Sequence, residues 1–200
     1  MQKVKEIWVY FICIFYIIHI LCFFISDKKK LIVSDIYSIN KRRNRKWSNL
    51  YSLVYYLCYD DYFLVIFKHR IKGCTLHSLI SVCSNRNFII PKDVVIGESI
   101  SYSHPYSTIL NAKKIGSNFS FKHLTTIGNK NDNEDLRPII LDNVILGAGV
   151  TIIGDITIGN NVVVGAGTVI VKSVPDNSVV VGNPARIIKS INKVGSYDEV

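Results

Sequence analysis

The sequence predicts a mainly β protein, a parallel β-helix that follows an N-terminal α-helical module. Residues 140–175 divide into six consecutive units of six residues, ILDNVI, LGAGVT, IIGDIT, IGNNVV, VGAGTV and IVKSVP. An aliphatic residue opens each unit, and Gly, Asn or Asp usually follows within three positions. A helix would repeat every 3.6 residues and an ordinary strand every two. Hexapeptides with Gly and Asn at fixed offsets instead indicate the short strands and tight corners of a parallel β-helix.

The same repeat extends backwards to residue 90. Seven further units open at Ile90, Ile96, Tyr102, Thr108, Ile115, Phe121 and Ile127, and the unit TILNAKK at Thr108 carries one extra residue. The thirteen units together predict a little over four triangular coils. A polar stretch, NKNDNEDLR, interrupts them and predicts a loop over residues 129–137 that leaves one corner. Ordinary strands in a sandwich are the alternative, and the strict six-residue spacing disfavours it.

The basic excess of the chain lies wholly in its first part. Residues 1–88 carry fourteen Lys or Arg and five Asp or Glu, whereas residues 89–200 carry ten of each. We therefore predict a helical, basic and hydrophobic module over residues 1–88, a β-helix domain over 89–189 and a C-terminal tail over 190–200. The basic run at residues 41–46 comes with no nucleic-acid-binding motif, so we expect a solvated loop there and no nucleic-acid partner.

A long apolar run near the N-terminus predicts contact with a membrane or with a helical core. Residues 7–25 form nineteen residues with His19 as the only strongly polar side chain. As a helix they would reach about 28 Å at ~1.5 Å per residue, close to the ~30 Å hydrocarbon core of a bilayer. Residues 50–67 are also apolar, but Asp60 and Asp61 interrupt them, which favours two separate helices. The alternative for both stretches is a helical cap packed on the β-helix.

The cysteines predict a reducing compartment and no metal site. Five are present, Cys13, Cys22, Cys58, Cys74 and Cys83, without a CxxC pair or a zinc-like spacing. Their odd number argues against a disulfide framework. We therefore expect reduced thiols in a cytoplasmic protein, placed at the inner face of the membrane if residues 7–25 associate with lipid.

Two histidines are the first candidates for chemistry. His104 and His123 each occupy the third position of their hexapeptides, and those units lie three apart along the repeat. One full coil should therefore separate them, so we expect both at the same corner, stacked one strand spacing (~4.8 Å) apart. An imidazole that titrates near neutral pH can act as general base toward a hydroxyl.

The residues from 90 to 189 resemble the serine acetyltransferase group of hexapeptide-repeat acyltransferases. The matching pieces are SYSHPYS, the TTIG before the loop, VILGAGVTIIGDITIGNNVVVGAGTVIVKSVPDNSVV and the closing VGNPARIIK. The basic, hydrophobic N-terminus is most similar to members associated with surface-polysaccharide biosynthesis. The resemblance implies a left-handed β-helix, a homotrimer or a dimer of trimers, and transfer of acetyl from acetyl-CoA to a hydroxyl without a metal.

The resemblance also implies roles for individual residues. His104 matches the catalytic base. The residues that match the coenzyme A side are Gly128, Ala148 and Ala166 along the pantetheine arm, and Pro184, Ala185 and Arg186 near the nucleotide end.

Three positions depart from the serine-specific pattern. Ile89 and Ser103 stand where the family has Asp residues that orient the base and hold serine, and Arg137 stands where it has His. The acceptor therefore stays open between serine and a surface-polysaccharide sugar. Ser103, His123 and Arg137 are the candidates for holding the acceptor or orienting His104, which a backbone carbonyl could also orient. A non-catalytic β-helix scaffold that binds a partner is the alternative from another class.

Overall fold

The computed structural model describes residues 16–74 and 87–190 of the 200-residue chain. The chain divides into two units, Met1–Lys92 and Asp93–Val200. Cys13, Cys83, residues 7–15 of the apolar run and residues 191–200 of the predicted tail lie outside the described residues.

Helices form the first unit. Their bounds are α1, Ile17–Ile25; α2, Lys29–Arg42; α3, Asn49–Tyr59; and α4, Asp61–Arg70, with a short strand β1, Phe88–Ile89, after them. Helix α3 begins at an N-cap, because the Ser48 hydroxyl accepts a hydrogen bond from the Tyr51 amide. Asp60 caps α4 by accepting from the amides of Tyr62 and Phe63. The predicted separation of two helices at Asp60 and Asp61 is therefore confirmed.

A polar network inside the helical unit fixes how its helices pack. Arg70 donates from Nε to Asp35 Oδ2 at 2.9 Å, and both side chains are at most 4% exposed. The Asn40 amide donates to the Ser52 hydroxyl at 2.8 Å and accepts from the Tyr56 hydroxyl at 2.6 Å. Removing one partner of such a buried pair leaves the other unsatisfied, at a cost of about 3–5 kcal/mol for an ion pair. The network therefore ties α2 to both α3 and α4.

Helix α1 carries the described part of the apolar run. Its His19, Cys22 and Phe23 are buried, whereas Phe24 and Ile25 are 54% and 61% exposed. Within residues 16–74 and 87–190, no individual helix has the length and apolar character needed to cross a bilayer. Helices α3 and α4 meet those criteria only as a pair that bends by 113°.

Short strands form the second unit and confirm the parallel β-helix. The strands are β2, Val95–Ile96; β3, Ser101–Ser103; β4, Thr108–Leu110; β5, Lys114–Ile115; β6, Ser120–Lys122; β7, Thr126–Gly128; β8, Ile139–Ile140; β9, Ile145–Leu146; β10, Thr151–Ile153; β11, Thr157–Ile158; β12, Val163–Val164; β13, Val169–Ile170; β14, Ser178–Val181; and β15, Arg186–Ser190. They form sheet A (β4-β7-β10-β13), sheet B (β2-β5-β8-β11) and sheet C (β3-β6-β9-β12-β14-β15). Only β15 pairs antiparallel, with β14. Sheet C thus contains five parallel strands, somewhat more than the predicted four coils and a fraction.

From Ile96 onward the residue that opens each hexapeptide points inward and stacks on its equivalent in the next coil, except in the unit at Thr108, where Leu110 takes this position and pairs with Ile127. Ile115 pairs with Ile140 and Ile140 with Ile158, and all three are buried. Tyr102 and Phe121 occupy such inward positions in sheet C, with ring centroids 6.2 Å apart. Each buried side chain of this size stabilises the fold by roughly 1.5–3 kcal/mol. The core side chains of the β-helix therefore recur every six residues, at the spacing of the hexapeptides.

Each edge where two sheets meet is a corner. We call the turns from sheet B to sheet C the asparagine corner, because Asn118, Asn143, Asn161 and Asn177 lie there with φ of 55°, 59°, 56° and 58°. Their amides form a ladder in which each Nδ2 donates to the Oδ1 of the next residue at 2.8–2.9 Å. Asparagine suits this corner because it tolerates the left-handed conformation and also pairs with its neighbour.

The other two corners carry the candidate site residues. The histidine corner consists of the turns from sheet C to sheet A, at residues 104–107, 123–125, 147–150 and 165–168. The loop corner consists of the turns from sheet A to sheet B, and the loop at residues 129–137 leaves the helix there. In this loop Lys130 donates its amide to the Leu136 carbonyl at 3.1 Å, and Leu136 donates to Asn133 at 3.0 Å.

Candidate active site

His104 lies in an exposed turn at the histidine corner. The strand register pairs Ser103 with Lys122 and places His104 and His123 at the same corner, as predicted. Two residues of the turn, His104 and Ser107, have φ of 50°, a conformation that non-glycine residues seldom adopt. The imidazole of His104 therefore projects from a tightly constrained turn that is open to solvent.

Tyr106, rather than His104, stacks on His123. The two ring centroids are 4.9 Å apart and the rings are inclined by only 14°. The Tyr106 carbonyl also accepts a hydrogen bond from the Leu124 amide at 3.0 Å, and its own amide donates to the His104 carbonyl at 2.8 Å. The two histidines therefore share a corner, as predicted, but the ring that stacks on His123 is that of Tyr106.

The reason is an insertion in the first-coil turn. Ser103 pairs with Lys122 before the turn, and Ile109 pairs with Thr126 after it. Five residues, 104–108, separate these two pairs in the first coil, whereas three, 123–125, separate them in the next coil. The first-coil turn is therefore two residues longer, and Tyr106 takes the stacking position. The extra residue that we predicted within TILNAKK thus lies earlier in the chain: the turn adds two residues, and the step from Leu110 to Ile115 is one residue shorter than a hexapeptide. One signal of this irregular coil is present in the sequence, because the unit-opening residues Tyr102 and Phe121 lie nineteen positions apart, one more than three hexapeptides.

Among the described residues, no side chain or backbone group forms a hydrogen bond with the imidazole of His104 or of His123. Ser103 is half-buried at the end of β3, next to His104 in the chain. Ile89, which replaces the orienting Asp of the resemblance, is 46% exposed on β1 in the other unit. Of the candidate orienting groups, Ser103 and His123 lie at the histidine corner.

The histidine column continues as a column of small residues. Because Ser120 pairs with Ile145 and Leu146 pairs with Val164, the positions that follow His123 in successive coils are Ala148 and Ala166. Gly149 donates its amide to the His123 carbonyl at 2.9 Å, and Gly167 donates to the Ala148 carbonyl at 2.8 Å. Along this corner the imidazole of His123 is followed by the methyl groups of Ala148 and Ala166, and these small side chains leave a shallow strip beside His123.

Gly128 lies at the loop corner, at the far end of β7 from His123. A Cβ at this position would lie 3.2 Å from Ile153 Cδ1, so a larger residue would require the end of the Ile153 side chain to move by a few tenths of an ångström. The three residues of β7 span about 10 Å at ~3.3 Å per residue. Within one protomer, Gly128 and the alanine column are therefore at different corners and do not line one groove.

A groove runs along the loop corner from the loop toward the last coil. Its first part, about 400 Å³, is lined by residues of the loop and of the third coil, among them Lys130 and Asp155. Its second part, about 460 Å³, is lined by Lys172, Pro184, Ala185 and Arg186 among others. Both parts share Val171. The three residues predicted near the nucleotide end thus lie together beside a further cation.

Arg137 also lies at the loop corner, where it is engaged in ion pairs. Its guanidinium contacts Asp93 Oδ2 at 2.6 Å, Glu134 Oε2 at 3.4 Å and Asn111 Oδ1 at 3.2 Å, and its side chain is 13% exposed. The structure therefore does not bring Arg137 to His104 within one protomer. In the part of the chain that the structure describes, no cluster of three or more His, Cys, Asp or Glu could hold a metal ion.

Comparisons with known proteins agree with this architecture. Residues 137–172 match the family model described as bacterial transferase hexapeptide (six repeats). The putative colanic acid biosynthesis acetyltransferase WcaB of Escherichia coli K12 is 42% identical over 113 residues, which cover 56% of this chain and 69% of that protein. Serine acetyltransferase of Neisseria gonorrhoeae in complex with serine aligns with a TM-score of 0.69 and 26% identity, covering 86% of this chain and 73% of that one. Serine acetyltransferase of Brucella abortus in complex with coenzyme A aligns with a TM-score of 0.63 and 26% identity, covering 82% and 68%.

The fold, together with these comparisons, defines an acyltransferase built on a left-handed β-helix. The chain belongs to the serine acetyltransferase-like family of hexapeptide-repeat acetyltransferases, and its activity is O-acetyl transfer. The alternative of a non-catalytic scaffold is therefore set aside.

Proposed function

We propose that this O-acetyltransferase uses acetyl-CoA to acetylate a hydroxyl of a surface-polysaccharide precursor sugar. The observation that carries the proposal is the histidine corner, where a solvent-exposed His104 stands beside a Tyr106–His123 stack. Two features favour a sugar over free serine. The relative WcaB is named for colanic acid biosynthesis, and Ile89 and Ser103 lack the carboxylates associated with serine. Serine remains the second candidate, because solved relatives bind it.

His104 is the general base of the proposed reaction. Its imidazole removes the proton from the acceptor hydroxyl, and the resulting alkoxide attacks the carbonyl carbon of the acetyl thioester. The tetrahedral intermediate collapses, the carbon–sulfur bond breaks, and coenzyme A leaves as the thiol with the proton returned by His104. A backbone N–H near Gly128 stabilises the oxyanion of the intermediate.

Acetyl-CoA binding draws on the small residues and the cations of the β-helix. The slender pantetheine arm needs a strip without bulky side chains, and Ala148, Ala166 and Gly128 supply small residues. Arg186, beside Pro184 and Ala185 in the second part of the groove, provides a guanidinium for a phosphate group.

A homotrimer, alone or as a pair of trimers, is the proposed assembly. One protomer separates His104 from Gly128 and Arg137, which lie at the loop corner. A site that uses both sets therefore needs the histidine corner of one copy to face the loop corner of another. In such an arrangement Arg137 of the neighbouring copy would face the acceptor, and a carboxylate or phosphate of the acceptor would have to replace Asp93 or Glu134 as its ion-pair partner.

Membrane association through residues 7–25 is a further part of the proposal. The exposed apolar side chains of α1, with Phe24 and Ile25 at its end, support it. Because acetyl-CoA is a cytoplasmic metabolite, the enzyme would act at the inner face of the membrane. Deleting residues 1–30 should then move the protein out of the membrane fraction, and a full-length protein found wholly in the soluble fraction would refute this part.

An acceptor screen tests the proposed function. Full-length enzyme is incubated with acetyl-CoA and with serine, nucleotide-linked sugars or lipid-linked sugars, and the released thiol is measured. Thiol release with a sugar acceptor that depends on His104 supports the proposal, and His104→Ala is the control. Efficient, saturable acetylation of serine with no response to any sugar would overturn the choice of acceptor.

A further inference from the structure

An aromatic stripe runs along the outer face of α3. Trp47, Tyr51, Tyr55 and Tyr59 follow one another at intervals of four residues, so they lie on one side of the helix. Their rings touch in sequence, with centroid distances of 5.1 Å for Trp47–Tyr51, 6.3 Å for Tyr51–Tyr55 and 5.1 Å for Tyr55–Tyr59. Trp47, Tyr51 and Tyr55 are half-buried, and Tyr59 is 53% exposed. The stripe thus lies at the surface of the helical unit, partly open to solvent, rather than inside the core.

The basic run folds back onto this stripe. Asn44, with φ of 51°, turns the chain between α2 and α3, and Arg45 donates its amide to the Asn40 carbonyl at 2.8 Å. The Arg45 guanidinium then lies over the ring of Trp47 at 4.3 Å and over that of Tyr55 at 5.2 Å. The expectation of a solvated loop at residues 41–46 is therefore only partly right. Lys41 and Lys46 are exposed on either side of Arg45.

We refer to Lys41, Arg45, Lys46, Trp47, Tyr51, Tyr55 and Tyr59 as the aromatic–basic surface. A second copy of the chain is a poor occupant, because a symmetric contact would bring the same cations face to face. An anionic partner meets no such repulsion. Tyrosine and tryptophan pair an apolar ring with a polar tip, a combination that is favoured where an apolar phase meets water.

We propose that the aromatic–basic surface docks on an anionic lipid bilayer at the level of the headgroups. The rings of Trp47 and Tyr55 reach the boundary of the acyl chains, and Lys41 and Lys46 lie against lipid phosphates. Cation–ring stacking keeps Arg45 at the same depth. This contact is separate from the one proposed for residues 7–25, and it does not depend on the identity of the acceptor.

The first test measures the charge contribution. Full-length protein is sedimented with phosphatidylcholine vesicles that contain phosphatidylglycerol and with vesicles of phosphatidylcholine alone. The double variant Lys41→Gln, Lys46→Gln should weaken partition onto the anionic vesicles about thirtyfold at low salt, since each basic residue near such a surface contributes about fivefold. The control variant Lys92→Gln, Lys114→Gln removes two exposed charges elsewhere and should leave partition nearly unchanged. An equal loss of partition in the two double variants would show that vesicle binding depends on net charge and not on the aromatic–basic surface.

The second test measures the fluorescence of Trp47. It is informative even if residues 7–25 contribute most of the affinity for vesicles. The chain has two tryptophans, Trp8 and Trp47, so the variant Trp8→Phe leaves Trp47 as the only indole fluorophore. Anionic vesicles should shift its emission to shorter wavelength, and brominated lipids should quench it. Vesicle binding without any change in Trp47 emission would overturn the proposal.

Two further outcomes would also reject it. A shift that a soluble acidic polysaccharide produces, and that vesicles do not, would assign the surface to a polymer. A shift that grows with protein concentration in the absence of lipid would assign it to a second copy of the chain. Acetyl transfer to a soluble acceptor should be unchanged in the Lys41→Gln, Lys46→Gln variant, so failure of this proposal is distinguishable from failure of the proposed reaction.

Discussion

Replacing Tyr106 by alanine should weaken acceptor binding without unfolding the β-helix. The change removes the ring that stacks on His123 at 4.9 Å and 14°. A stacked aromatic pair contributes about 0.5–1.5 kcal/mol beyond its buried area. Tyr106 is 42% exposed, so water replaces part of the lost contact and the lower half of that range applies. The expected loss in kcat/KM for the acceptor is therefore about two- to fivefold, with acetyl-CoA affinity unchanged.

The assay is steady-state thiol release with the acceptor that the screen identifies, together with thermal unfolding. Tyr106→Phe is the matched control, because it keeps the ring and removes only the hydroxyl. The proton NMR signal of the His123 ring gives a second readout, since it should lose the ring-current shift in Tyr106→Ala alone. Unchanged kcat/KM in a folded Tyr106→Ala variant, or an equal loss in Tyr106→Phe, would show that the stack does not position His123.

The other predictions concern the two imidazoles, the alanine column and a buried histidine of the helical unit. His104→Ala should lower turnover at least about 10²-fold while acetyl-CoA still binds in calorimetry, because general-base contributions are typically ~10²–10⁴-fold; wild-type turnover would remove His104 from the mechanism. His123→Ala should have a smaller effect, and if it is the more damaging change the two roles must be exchanged. Leucine at Ala148 or Ala166 should raise the KM for acetyl-CoA with little change in melting temperature; lost stability at unchanged affinity would make these residues structural. Burial lowers the pKa of His19 to about 4, and both of its ring nitrogens lack hydrogen-bond partners among the described residues. Its neutral form is favoured in the folded state, so stability should be complete above about pH 6.5 and fall by up to about 3 kcal/mol as the pH drops toward 4. Urea unfolding of His19→Phe should show a weaker dependence over that window, and an identical dependence would refute this origin.

The six-residue period of the sequence predicted the β-helix because the same spacing decides which side chains form its core. Each coil buries one inward side chain per strand, as at Ile115, Ile140 and Ile158, so aliphatic residues must recur at the coil spacing. The corners could also be predicted from the sequence, because asparagines such as Asn118 and Asn143 occupy positions of positive φ. Such features depend on residues close in the sequence or one repeat apart, which pattern analysis can detect.

The pattern could not show how residues are distributed within one irregular coil. A nineteen-residue interval reveals one extra residue but not where it lies, and that position decides whether His104 or Tyr106 stacks on His123. Contacts in the helical unit were also hidden, because Asp35 and Arg70 are thirty-five residues apart and obey no repeat. The stacking of Arg45 on Trp47 was hidden as well, because it depends on the turn at Asn44, which belongs to no repeat.

The separation of the site residues onto two corners follows from the shape of the coil. A strand of three residues puts neighbouring corners about 10 Å apart, too far for one corner to supply both a base and the groups that hold the thioester. His104 occupies one corner of the protomer, whereas Gly128 and Arg186 belong to the other. In the proposed trimer, the histidine corner of one subunit meets the loop corner of the next at each of the three boundaries. Three copies would therefore form three complete sites, although no single copy brings the two corners together.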